Sequence, residues 1–77
     1  MEKQLFDYSL LKKKIKGVFG TCKVFAKAMG ISLATLSDKL NNKVQFKQNE
    51  INLACKLLNI DVSDIPLYFF APLVKVA

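Results

Sequence analysis

Residues that end helices recur at short intervals along the first sixty positions: Gly20, Gly30, the pair Asn41-Asn42, and Asn59. Glycine and asparagine tolerate a left-handed backbone, so each is a place where a helix stops and the chain turns. The runs between them carry apolar residues at helical spacing. The chain is therefore restricted to short helices packed around tight corners.

The helices can be read in order. Asp7 is placed to cap a helix from Tyr8, with Tyr8, Leu11, Ile15, Val18 and Phe19 on one stripe and Lys12, Lys13, Lys14 and Lys16 facing away. Thr21 caps a second helix through Met29, whose apolar positions are Val24, Phe25, Ala28 and Met29. Ser32 caps a third from Leu33 to about Leu40. A fourth, from about Gln48 to Leu58, has Ile51, Ala54, Cys55 and Leu58 at successive helical positions, with Asn59 as its stop. Asp61 and Asp64 mark a cap and a short turn. Pro66 interrupts any longer helix there, because the residue before proline is pushed away from the helical region. The last stretch, from Leu67, is rich in aromatic and β-branched residues and is expected to be a helical turn leading into an extended segment.

Composition narrows the function. With no histidine and two cysteines, the chain lacks the commonest general base and the usual metal-ligand clusters. It is therefore expected to be neither an enzyme nor a metal or cofactor protein, and to have no small-molecule substrate. Cys22 and Cys55 fall in helical, apolar-periodic segments and read as reduced residues of a cytoplasmic protein. The longest apolar run, Ile65 to Val74, contains two prolines and is too short for a membrane span, which takes about 20 residues.

Every basic residue is a lysine, and the charge is uneven. Residues 1–47 hold ten of the twelve lysines against three acids, whereas residues 48–77 are nearly neutral. That pattern suits a polyanion-facing half and a separate packing half; it is equally what keeps a small apolar protein in solution.

The segment from Thr21 to Leu40 carries the motif. Two helices meeting at a tight corner need a small residue where they cross (Ala26), a residue free to take positive φ (Gly30), and an apolar plug after the corner (Ile31). They also need a core-pointing residue on the second helix, and Leu36 supplies it. This is the helix-turn-helix layout.

The run Phe25-Ala26-x-x-Met29-Gly30-Ile31-Ser32-x-x-Thr35-Leu36-Ser37, continued by Leu40-Asn41-Asn42-Lys43, resembles the Cro/cI-type helix-turn-helix family of phage and bacterial regulators. Leu57 to Asp61 and the ending around Asp64-Ile65 and Tyr68-Phe69-Phe70 are similar to the close of that family's domain. The resemblance implies an all-α, compact four- to five-helix bundle of the lambda-repressor type over residues 1–70, with an extended apolar tail over 71–77. It implies a sequence-specific regulator of transcription that binds double-stranded DNA as a homodimer. Two departures stand out: Lys39 occupies a place that is often large and apolar, which hands that packing to Leu40. Cys22 and Leu33 stand where glutamines often read bases.

On that resemblance, the third helix enters the major groove with Ser32, Leu33, Ala34, Thr35, Ser37, Asp38 and Asn41 as base-reading residues. Threonine and serine hydroxyls can bond base edges, Leu33 and Ala34 can meet thymine methyls, and Asp38 can accept from a cytosine amino group. Thr21, Cys22, Lys23, Asn42, Lys43 and Lys47 are the expected phosphate contacts, the first three through N–H groups at a helix N-terminus. Tyr68, Phe70, Leu73, Val74 and Val76 form the expected dimer interface, since they concentrate apolar area at the end of a small chain. The apolar Leu33 and the missing arginines keep a second reading open, an anti-repressor or modulator that reuses the fold to bind another phage regulator.

Overall fold

In the computed structural model, which describes residues 5–72, the chain forms five α-helices and one 3-10 turn among the described residues. These are α1 (Ser9–Phe19), α2 (Cys22–Met29), α3 (Leu33–Leu40), α4 (Gln48–Leu58), the turn Val62–Asp64, and α5 (Ile65–Phe69). The expected all-α bundle is the observed one. The part of the tail expected to pair, with Leu73, Val74 and Val76, lies outside the described residues.

Local chemistry explains most of the boundaries. The Thr21 and Ser32 hydroxyls accept from Val24 N–H at 3.3 Å and Thr35 N–H at 3.1 Å, capping α2 and α3. Gly20 and Gly30 take φ of 83° and 77°, and Asn42 and Asn59 take 64° and 55°. Asp7 acts one residue later than its position suggests: its carboxylate accepts from both Ser9 N–H and Ser9 Oγ, so α1 begins at Ser9 and Tyr8 is the cap position. These two bonds hold the Asp7 carboxyl below its usual range. Pro66 sits in the first turn of α5, where its missing N–H costs nothing.

The core is built from Leu11 and Ile15 of α1, Phe25 of α2, Leu36 of α3, Leu58 of α4 and Phe69 of α5, all fully buried. Around Phe69 the aromatic rings meet edge to face, Tyr8 on Phe46 at 5.4 Å and Phe46 on Phe69 at 5.3 Å. Three positions read as inward-facing are not. Val18 and Val24 are both about half exposed, and Ala28 is exposed as well, because the Phe19 and Phe25 rings meet at a tilt, 5.3 Å apart, and fill the α1–α2 contact without them.

Lys39 also departs from expectation. It does not yield its place to Leu40; both are buried, and Lys39 is only 3% exposed. Its stem fills the space expected of an apolar side chain. Its ammonium bonds Glu50 at 2.9 Å and the Gln45 carbonyl at 3.3 Å, and lies 5.9 Å from the centre of the Phe46 ring. Burial raises the Glu50 pKa, but the Lys47 N–H and the Lys39 ammonium outweigh it and leave the carboxyl below its usual range. This pair ties α3 to the start of α4.

The segments before α1 and after α5 are joined to each other and to the loop after α3. The Asn42 side chain accepts from Phe6 N–H at 2.9 Å and donates to Phe6 O at 3.0 Å. Asp7 N–H in turn donates to Ala71 O at 2.8 Å, and Phe6 pairs with Pro72 in a single antiparallel bridge. Phe70 packs edge-on against Phe6 at 5.7 Å.

Candidate functional site

The corner between α2 and α3 is held by backbone bonds. Gly30 N–H donates to Lys27 O at 3.1 Å, and Ile31 N–H donates to Ala26 O at 3.0 Å. Ala26, almost completely buried, lies where a larger side chain would force the helices apart. Leu36 plugs the corner from α3 into the core. The helix-turn-helix read in the sequence is thus present, its corner closed by these bonds and by buried side chains.

That unit presents one face of α3. Ser32, Leu33, Ala34, Thr35, Ser37 and Asn41 are all exposed on it, and Asp38 is half-buried. The hydroxyls are engaged with one another. Ser32 Oγ and Thr35 Oγ1 are 2.8 Å apart, and Asn41 Nδ2 donates to Ser37 Oγ at 3.3 Å. The Asp38 carbonyl accepts from Lys43 N–H at 2.8 Å and Val44 N–H at 3.3 Å, turning the chain away from the helix end. What remains most prominent on this face is apolar: Leu33 is 46% exposed.

Of the residues expected to clamp phosphates, Thr21, Lys23, Lys43 and Lys47 are exposed, and Cys22 is half-buried. At the start of α2 the N–H groups of Cys22 and Lys23 have no partner among the described residues. Asn42 differs. Its amide is saturated by the Phe6 backbone, and its role in the structure is to latch the chain's N-terminal segment. Of the expected dimer residues, Phe70 is exposed, whereas Tyr68 is half-buried and packs against the molecule's own core.

The structure also joins α1 to α3 in a way the motif does not announce. A groove of about 340 Å³ runs between them, floored by Leu36 and Leu40 and edged by Leu33, Ser37 and Asn41 on one side. Lys12, Lys16 and Cys22 edge the other. The signal in the sequence was the i, i+4 pair of lysines on α1, which places both charges on one side of that helix. Chemically the groove is an apolar trough under a cationic rim. Among the described residues no group of histidine, cysteine, aspartate and glutamate could hold a metal ion. No helix among them is long and apolar enough to cross a membrane.

Comparison with known proteins places this geometry. The chain is similar to the modulator of repression (MOR) of the temperate bacteriophage TP901-1 from Lactococcus lactis, known from its solution structure. The two are 49% identical, with a TM-score of 0.76 over 84% of this chain and 88% of that one. No curated protein matches the chain. The family model that matches does so over residues 4–72, and it is not that of the Cro/cI regulators, whose likeness to this chain rests on the motif residues. The chain belongs to the family described as a protein of unknown function (DUF739).

Proposed function

We propose that this chain is a phage-type regulator that modulates repression by docking on a partner protein, and that the exposed face of α3 with the adjoining α1–α3 groove is its contact surface. The observation that carries the reading is the 49% identity to a modulator of repression across most of both chains. The surface chemistry supports a protein partner over DNA. An exposed leucine beside a groove floored by Leu36 and Leu40 is the composition of an interface centre, and the lysines sit at its edge as an interface rim does. Arginine, which makes the commonest specific contact with guanine, is absent from the chain. In this reading the chain acts in the cytoplasm, without catalysis or a cofactor.

The test is isothermal titration against the repressor encoded nearest to its gene, with Leu33→Asp as the variant. Binding by the native chain, weakened at least about tenfold by Leu33→Asp with the melting temperature unchanged, supports the reading; the tenfold corresponds to a loss of about 1.4 kcal/mol. Equal binding by both chains removes α3 from the contact.

DNA binding is the second reading, and one observation favours it. The α2–α3 corner leaves the whole Leu33–Ser37 face outward, with N–H groups at the start of α2 that have no partner among the described residues, and with Lys43 and Lys47 beyond the end of α3. It requires a homodimer, since two recognition helices must reach half-sites about 34 Å apart.

A further inference from the structure

The helix α1 carries three local costs that the described residues do not offset. The first is Gly17, in the middle of an 11-residue helix. It does not have a positive φ, and a Cβ added there would meet nothing within 4 Å. No turn and no close approach inside the chain requires glycine, although glycine in a helix interior is less stable than alanine. The second is charge. α1 contains four lysines and no acid, with Lys12 and Lys16 at i, i+4 and Lys13 and Lys16 at i, i+3, spacings at which like charges repel. The third is apolar exposure: Leu10 is 50% and Val18 51% exposed.

The glycine and the exposed apolar residues coincide in space, with Lys13 and Lys14 beside them. Leu10, Lys13, Lys14, Gly17 and Val18 line one groove, and Tyr68 of α5 forms its other wall. This groove lies on the opposite flank of α1 from Lys12 and Lys16, which edge the α3 groove. Where a local choice disagrees with the fold, a contact made outside the molecule is the usual reason.

We propose that this flank of α1 is a second docking surface, and that its occupant is an acidic, amphipathic helix of a partner protein whose backbone crosses α1 at Gly17. The glycine, the apolar exposure and the two lysines on this flank are each answered by that occupant. A glycine lets a second helix approach closely, Leu10, Val18 and Tyr68 receive its apolar ridge, and Lys13 and Lys14 meet its carboxylates. Among the described residues neither lysine makes an ion pair. A second copy of this chain is a poor occupant, because α1 against α1 sets Lys13 and Lys14 beside their own equivalents. The surface is separate from the α3 face, so it can exist whether or not α3 contacts a repressor.

The experiment is a nitrogen-15 NMR titration of the full chain with a synthetic helical peptide carrying a Leu/Ala ridge flanked by glutamates. A scrambled peptide of equal charge and a short DNA duplex serve as comparisons. The expected result is saturable shifts at Leu10, Lys13, Gly17, Val18 and Tyr68 with the amphipathic peptide alone. Gly17→Ala should raise the melting temperature by about 3–8 °C, the span that its helix propensity implies for a domain of this size. The same variant should bind the peptide at least tenfold more weakly. Leu33→Asp should leave the α1 shifts unchanged, which separates this surface from the one proposed above. The proposal is overturned if Gly17→Ala lowers the melting temperature or binds as well as the native chain. It is also overturned if the scrambled peptide or the duplex shifts the same residues equally, or if the shifts fall on α3 or nowhere.

Discussion

The Lys39–Glu50 pair offers an asymmetric test of how α3 is held. The Lys39 ammonium is almost wholly buried, with Glu50, the Gln45 carbonyl and the Phe46 ring around it; Glu50 is 17% exposed and also accepts Lys47 N–H at 2.8 Å. Glu50→Ala strands a buried cation and uncovers the start of α4. Removing one partner of a buried pair costs about 3–5 kcal/mol, and partial access of water to this site brings the expected value to about 2–3 kcal/mol. Loss of the Lys47 N–H contact adds about 0.5–1 kcal/mol, as for a lost cap. Lys39→Met is different. Its thioether side chain fills the same channel, and Glu50 keeps both solvent and the Lys47 N–H. Replacing buried ionic groups by apolar ones of similar volume is often neutral, so this variant should lie within about 1 kcal/mol of the native chain. For a domain of 77 residues with a total stability of roughly 4–12 kcal/mol, the first change is large and the second is small. Urea denaturation monitored by helical circular dichroism measures both. If Lys39→Met is as damaging as Glu50→Ala, the ammonium contributes far more than the side chain's volume, and the reasoning fails.

The same geometry carries three further outcomes. Because the folded Glu50 carboxyl lies below its ordinary value of 4.5, its contribution to stability is present above that pH and is lost as the pH falls through the folded value; the native melting temperature should fall more steeply between about pH 5 and pH 3 than that of Glu50→Gln, and equal slopes would refute this. Asn42→Ala should cost about 2–3 kcal/mol, from two bonds to Phe6 of about 1 kcal/mol each and the strain of φ 64° without asparagine, whereas Asn42→Gly should recover the strain alone; thermal melts of the two variants decide it. Burial raises the Cys55 thiol, so a thiol reagent should label half-exposed Cys22 rapidly and Cys55 only on unfolding, as mass spectrometry of the labelled chain would report.

The features legible in the sequence were those that neighbouring residues decide. Thr21, Ser32, Gly30 and Asn59 act within a turn of their own positions, and the apolar rhythm of α4 matches its buried face residue for residue. The positions that differed depended on distant partners. Val18 and Val24 fit a helical stripe, yet the tilted ring pair of Phe19 and Phe25 takes the space between α1 and α2. Lys39 could be placed inside only by knowing that Glu50 would meet it, and Asn42 only by knowing that Phe6 would lie alongside. The two functional readings stay open in the sequence for a related reason. The spacing of Ala26, Gly30, Ile31 and Leu36 specifies a tight corner, and a corner presents α3 to DNA or to a protein equally well. What favours a protein in the proposal is the face itself: Leu33 was legible as a departure from the motif, whereas the α1 lysines across the groove were not, because the motif does not encode α1.

In the proposed function, α3 and its groove engage a protein. That engagement is tested most directly by one pair of nitrogen-15 NMR titrations at near-physiological salt, with the repressor encoded nearest to the gene and with duplex DNA spanning that repressor's operators. The repressor should shift Lys12, Lys16, Leu33, Ser37 and Asn41, while the duplex should produce no saturable shift at those residues. Saturable shifts of Leu33, Thr35 and Ser37 by operator DNA, with none from the repressor, would contradict the proposed function.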